Sequence, residues 1–351
     1  MPSATIIHAA FFAVGAAVGA GTIAALGPRK KREIKISSGG SAAVASSSTS
    51  PILNIGPTGA PTVSQGVALV PSAVLKYGNP GPIADLLVRK AYVAAYDRRL
   101  RHPAWTAEHL TLSSLGRSPS KSPDPAREGG DRQRSVFTED EALPIPFRAR
   151  LQDYFRSGYD RGHMVPAADA KLSQDAMDET FLLSNIAPQV GDGFNRHYWA
   201  YVEDWCRRLT GSFADVYVFT IPLYLPTLHS DGKWRVTHEV IGNPPNVAVP
   251  THFSKVVLAT RPSSPSKPNV LEMSMGAFVM PNAAIPEDTP LESFMMPVDA
   301  VERSAGLTLF SDALKLSSKN ICKTSKCELV IRRFDDAQKR PPLRRSLSAP
   351  N

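Results

Sequence analysis

The stretch FRSGYDRGHMVP, residues 155–166, decides the fold and the chemistry of this chain. Arg161 and His163 stand two residues apart, so in an extended segment both side chains project to one face. A cation and a base then share a site. Histidine is the side chain whose ordinary pKa suits taking a proton from water near neutrality. An arginine beside it can hold phosphate oxygens as negative charge builds on them. Gly162, between the two, would let a phosphate approach the backbone or permit an unusual turn. Taken alone, a histidine beside Asp160 and Arg161 is more often an ordinary surface ion cluster than a catalytic base.

A second pattern lies downstream. Residues 183–189 read LSNIAPQ and residues 194–203 read FNRHYWAYVE. If Asn195 opens a helix, then Asn195, Trp199, Glu203 and Arg207 fall at successive i+4 positions along one stripe. That stripe offers an amide oxygen, a carboxylate and a guanidinium. The neutral carbonyl oxygen of an asparagine suits a hard ion such as Mg²⁺, which keeps most of its waters and takes few protein ligands. Each residue also has a plain structural role open to it. Asn195 would cap the helix, Trp199 would fill the core, and Glu203 would pair with Arg207.

Together, DRGH, SNIAPQ and the Asn-x-x-x-Trp-x-x-x-Glu helix resemble the DNA/RNA non-specific nucleases of the ββα-metal type, also called the His-Me finger. The likeness runs from Tyr77 through residues 147–163, 177–189 and 249–255 to residues 297–307, covering most of residues 77 to 315. It implies an α+β fold, with a central, mostly antiparallel sheet flanked by helices. It implies an endonuclease that hydrolyses phosphodiester bonds of DNA and RNA with little sequence preference, leaving 5′-phosphate and 3′-hydroxyl ends. His163 would activate water and Asn195 would be the sole direct protein ligand of Mg²⁺ or Mn²⁺. Glu203 would orient the ion's waters, and Arg161 and Arg207 would steady the phosphate. Asn185 would be the active-site asparagine of the SNIAPQ segment, while Asp160 would support the strand. The chain departs from the family pattern at Gly191-Asp192-Gly193, a turn one residue longer than expected. The resemblance also implies a homodimer.

The rest of the sequence frames this domain. The formal charge is +8, but residues 1–35 and 339–351 each contribute +4, so the intervening 303 residues are net neutral. Phosphate affinity in the body therefore rests on a few placed arginines and a bound ion rather than on a general field. Ile6 to Leu26 carries no charge and is long enough to cross a bilayer. Residues 1–35 accordingly read as a membrane anchor or targeting segment, 36–73 as a Ser/Gly/Pro linker, 74–338 as the nuclease domain, and 339–351 as a basic disordered tail. Residues 115–134 and 261–268 read as surface insertions that form solvated loops. By the resemblance, the chain sits on the mitochondrial inner membrane facing the intermembrane space. The basic tail offers a route to the nucleus.

Three cysteines without a CxxC pair suggest neither a disulfide framework nor a thiolate zinc site. No His-x-Lys is present for covalent-histidine phosphodiester chemistry, and His238-Glu239 lacks the second histidine of a zinc-protease helix. The alternative function is a membrane-tethered scaffold that keeps the fold and binds nucleic acid or protein without cleaving. A base and a metal asparagine in one chain argue against it.

Overall fold

The runs rich in β-branched and aromatic residues at 215–221 and 254–259 form adjacent strands at the centre of the main sheet, covered on both faces. The computed structural model describes residues 73–77, 85–117 and 129–331. The N-terminal segment, the linker, residues 118–128 of the first insertion, and the tail lie outside the described residues. All described residues belong to one unit, Gly66–Asn351.

In chain order the strands are β1 (Asp85–Val88), β2 (Tyr92–Asp97), β3 (His102–Leu110), β4 (Asp160–His163), β5 (Ile186–Gln189) and β6 (Asp215–Leu223). The short strands β7 (Thr227–Leu228), β8 (Trp234–Arg235), β9 (Val240–Ile241) and β10 (Val247–Ala248) follow. The last are β11 (His252–Ser264), β12 (Lys267–Pro281), β13 (Met295–Met296) and β14 (Lys319–Asn320). The main sheet runs β1-β2-β3-β6-β11-β12-β13 with antiparallel neighbours, and β14 joins β12 in parallel. The helices are α1 (Leu151–Tyr154), α2 (Gln174–Thr180), α3 (Trp199–Leu209), α4 (Val298–Ala305), α5 (Asp312–Ser317) and α6 (Ile321–Thr324). This is the α+β architecture of a ββα-metal nuclease.

Strand alternation divides the core. Leu110, Val218, Val257 and Phe278 face α3, whose Trp199, Val202, Trp205 and Leu209 pack on them. Ala107, Phe219, Val256 and Ala277 face the other way, toward Val301 of α4 and Leu309 and Phe310. Local chemistry sets the helix ends: Ser173 caps α2 by accepting from the Ala176 amide, and α4 stops at Gly306, whose φ of 70° is left-handed.

Two expectations are corrected. Residues 261–268 are not a loop: β11 and β12 continue through them as a hairpin that turns at Pro265 and Ser266. Its register shifts between Pro262 and Ser264, a bulge that accommodates a proline lacking an amide donor. The segment is nevertheless mostly exposed, as expected. Among the cysteines, Cys322 and Cys327 form a disulfide, leaving Cys206 free and buried. Their spacing matches no familiar motif, so only the fold of α6 brings them together.

The disulfide closes a short loop within the C-terminal segment, and that segment meets α3 where the Trp205 indole donates to the Lys326 carbonyl at 2.9 Å and Arg208 donates to the Glu328 carbonyl at 2.9 Å. A loop this short contributes about 2 kcal/mol through the unfolded chain. Cys322→Ser is therefore expected to lower the melting temperature by about 4 to 8 °C, a shift checked by calorimetry under non-reducing conditions. An unchanged transition would show that the clip is idle.

Candidate active site

β4 and β5 form an antiparallel ribbon of their own, with His163 opposite Ile186 and Asp160 opposite Gln189. The chain then passes from Val190 into the helix, so strand, strand and helix form one ββα unit. The long Gly191-Asp192-Gly193 turn is absorbed as a wide first turn over Gly191–Tyr198, in which the Asn195 amide reaches back to the Val190 carbonyl at 2.9 Å. Such a turn takes up an extra residue without breaking the helix beyond it. Gly193 sits at φ 75°, a conformation that suits glycine.

Asp160 fastens the strand to this helix. Its Oδ2 accepts from Asn195 Nδ2 at 2.9 Å and from Arg196 Nε at 2.8 Å, while Oδ1 accepts from Arg196 Nη2 at 2.7 Å. The bond from Arg196, joined by that from Asn195, holds the Asp160 carboxyl below the usual range despite partial burial. With its nitrogen committed to Asp160, the Asn195 amide is fixed in orientation, and no described residue donates to its oxygen. A hard cation would find a preset carbonyl ligand there.

His163 is 9 % exposed. Its ring packs edge-on to Phe181 at 4.8 Å between centroids and lies 5.3 Å from the tilted ring of Phe137. Nε2 has no hydrogen-bond partner. Burial, and then the positive charge of Arg132, push its pKa down to about 3, so the imidazole is neutral across the physiological range. Arg161 is exposed, and its guanidinium lies 4.4 Å from the Phe137 centroid. The two residues thus share one aromatic neighbour, as their spacing predicts.

The role of Gly162 differs from the sequence reading. A Cβ there would lie 2.1 Å from Gln189 Oε1, so glycine makes room for the fully buried Gln189 side chain on β5 rather than for a phosphate. Asn185 is likewise buried, at 0 % exposure. Its amide donates to the carbonyls of Val165 and Thr180, both at 2.9 Å, and its oxygen accepts from the Val165 amide at 3.1 Å. With its carbonyl also accepting from the Met164 amide, it pins the chain just beyond His163.

On α3, Glu203 and Arg207 are partly buried. Arg207 Nη1 donates to Asp169 Oδ1 at 2.7 Å, so its principal partner is Asp169 rather than Glu203. Burial pushes the Glu203 carboxyl up to about 7, with Lys255 and Arg207 opposing the rise.

Sequence reasoning missed Arg132, Phe137, Asp169 and Lys255. Arg132 stands at the end of the first insertion with its guanidinium 5.8 Å from the Phe181 centroid, and its charge acts on both His163 and Glu203. No local pattern in the sequence marked Arg132, which is one of several arginines in residues 132–161. Among the described residues, the one cluster of His, Cys or carboxylate atoms with metal-like spacing is Glu292 with Cys322 and Cys327, whose sulfurs are bonded to each other.

The profile of the DNA/RNA non-specific endonuclease family matches residues 70–316. The chain is 48% identical over 264 residues to "Nuclease 1, mitochondrial" of Schizosaccharomyces pombe, covering 75% of this chain and 78% of that one. It is 41% identical over 239 residues to "Endonuclease G, mitochondrial" of Homo sapiens, covering 68% and 73%. A crystal structure of the EndoG/EndoGI complex is similar with a TM-score of 0.59 and 46% identity, covering 67% of this chain and 89% of that one. The fold and the ββα site define a nuclease of the ββα-metal class. The chain belongs to the DNA/RNA non-specific endonuclease family and is a hydrolase.

Because the folded-state pKa of His163 is lowered, its contribution to stability is full above about pH 6.5 and declines as pH falls toward about 3. Arg132→Ala removes the one cation depressing it and is expected to raise the titration midpoint in histidine NMR spectra. An unmoved midpoint would place Arg132 outside the site.

Proposed function

We propose that this protein is a Mg²⁺- or Mn²⁺-dependent endonuclease that cleaves DNA and RNA with His163 as general base and Asn195 as the metal ligand. The observation that carries the reading is the bond from Asn195 to Asp160, which presents a free amide oxygen from an element tied to the strand of a buried, neutral, unpartnered histidine.

His163 is neutral and so ready to take a proton from water. Its low pKa in the free protein makes it a weak base, and a phosphate bound beside Arg132 would offset that cation and strengthen it. Arg161 and Arg132, two exposed guanidiniums on either side of the His163 ring's aromatic neighbours, hold the phosphodiester in position. Asn195 would hold the ion and Glu203 would orient its waters; when bound, the ion would supply positive charge against the phosphate and the leaving 3′ oxygen. Arg207, anchored by Asp169, keeps a positive charge beside Glu203. Cleavage leaves 5′-phosphate and 3′-hydroxyl ends. Contacts of this kind read the sugar–phosphate backbone, which accounts for weak sequence preference.

The names of the relatives support a mitochondrial location. The uncharged N-terminal span fits an anchor in the inner membrane with the enzyme facing the intermembrane space, and a homodimer fits the family. Among the described residues no helix is long and apolar enough to cross a membrane.

Digestion of plasmid and of RNA by the full chain, with Mg²⁺ and with chelator, tests the assignment. His163→Ala is expected to lose about 10²- to 10⁴-fold in rate at every metal concentration. Asn195→Ala, as a ligand loss, is expected to recover partly in high Mn²⁺. Equal degradation by wild type and His163→Ala would end the assignment of the base, and absence of the metal rescue would remove the role of Asn195.

A further inference from the structure

Just before the strand of His163, between α1 and β4, the chain turns one aromatic ring out into solvent. Phe155 is 70 % exposed, whereas its neighbour Tyr154 is buried. Among the described residues the group that lies over its ring is the Arg156 guanidinium, 5.0 Å from the centroid. The turn that presents this pair is built rather than slack. Asp153 Oδ2 accepts from the Arg150 amide and from Asn246 Nδ2, both at 2.7 Å. Ser157 Oγ donates to the Tyr154 carbonyl at 3.0 Å and accepts from the Tyr159 amide at 3.2 Å. Arg156 itself is held at φ 55°, a left-handed conformation that residues other than glycine keep only where their surroundings enforce it. An exposed aromatic ring and a cation are thereby fixed side by side.

This turn leads directly into the active site. Arg156 and Arg161 are five residues apart, so their backbones lie within about 18 Å of each other, a span that one nucleic-acid strand covers in about five steps of about 3.4 Å. The nearby carboxylates are already committed, Asp153 as described and Asp160 to Asn195 and Arg196. Arg156 and Arg161 are exposed, and neither forms a salt bridge with a described residue. Each lies instead over an aromatic ring, Arg156 over Phe155 and Arg161 over Phe137. A protein partner would be served by the ring alone, but two uncompensated cations favour a polyanion. Cations alternating with aromatic rings suit a strand whose phosphates are gripped while its bases stack on the rings. Inside a duplex each base is already stacked on its neighbours, so only an unpaired base has a face to offer Phe155.

We propose that Phe155 and Arg156 form an accessory nucleotide-binding site, in which Phe155 stacks on an unpaired base a few nucleotides from the cleaved bond and Arg156 holds a phosphate of that nucleotide. The inference rests on the nuclease reading and adds a substrate preference to it: single strands, loops and frayed ends bind better than an intact duplex. Neither residue touches the reacting atoms. Every base has a π-face, so the site selects strandedness without selecting sequence.

Binding is measured apart from cleavage, with the full chain carrying His163→Ala, in chelator, titrated with a fluorescent oligothymidylate and with a duplex of the same length. On this background Phe155→Ala is expected to weaken single-strand binding by about 5- to 100-fold and to leave duplex binding unchanged, while Phe155→Trp retains both. Arg156→Ala is expected to lower the salt slope of single-strand binding by about 0.7. A 2-aminopurine base moved along the strand is expected to be quenched at one position, and Phe155→Ala abolishes that quenching. Equal single-strand affinity in Phe155→Ala, or an equal loss for single strand and duplex, overturns the inference. So does a changed sedimentation coefficient with the quenching intact, which would assign the ring to a second copy of the chain. If Phe155→Ala does not fold, Phe155→Leu, which keeps apolar bulk without a π-face, takes its place. If the wild type cleaves nothing, the nuclease reading fails and the titrations still decide this one; if it cleaves and the titrations show no difference, this inference alone fails.

Discussion

Everything at this site depends on one carboxylate. Asp160 belongs to β4, three residues before His163, and its two oxygens grip Asn195 and Arg196 at the start of the helix. The strand that carries His163 and the helix that carries Asn195 are separated by the whole of α2 and β5 in sequence. Their relative placement needs a cross-element bond with directional geometry, which apolar packing alone does not supply. Asp160 provides it, and Gly191 leaves the space: a Cβ there would fall 2.8 Å from both Asp160 oxygens. The sequence reading gave Asp160 a supporting role on the strand, whereas its main effect is on the orientation of an amide 35 positions away.

The same logic of burial plus a fixed partner extends under the helix. The charged side chains below and along α3 lie largely out of water, where an unpaired charge costs several kcal/mol. Asp169 secures Arg207, Lys255 acts on Glu203, and the apolar residues of α3 seal the cluster against the sheet.

Local sequence made much of this legible. The two-residue spacing of Arg161 and His163 placed them on one strand face, and the i+4 stripe gave the helix from Asn195 to Arg207. The β-branched runs gave β6 and β11. What stayed hidden depended on distant partners. Arg132 lies far from the motif in sequence and resembled one more charge in a solvated insertion. Asn185 stood in a motif that pointed to substrate contact, yet three bonds to Val165 and Thr180 absorb its amide. Gly162 invited a phosphate, but Gln189 fills the space. The Cys322–Cys327 bridge needed the turn of α6 to become visible.

The central claim is that Asp160 aims the Asn195 oxygen at a metal ion, and the most direct measurement is Mn²⁺ affinity by electron paramagnetic resonance for wild type and Asp160→Ala. Loss of a group that orients a ligand typically weakens metal binding by about 10- to 100-fold, and a fall of that size with the fold retained is the predicted result. Equal Mn²⁺ affinity in a folded Asp160→Ala protein would contradict the account.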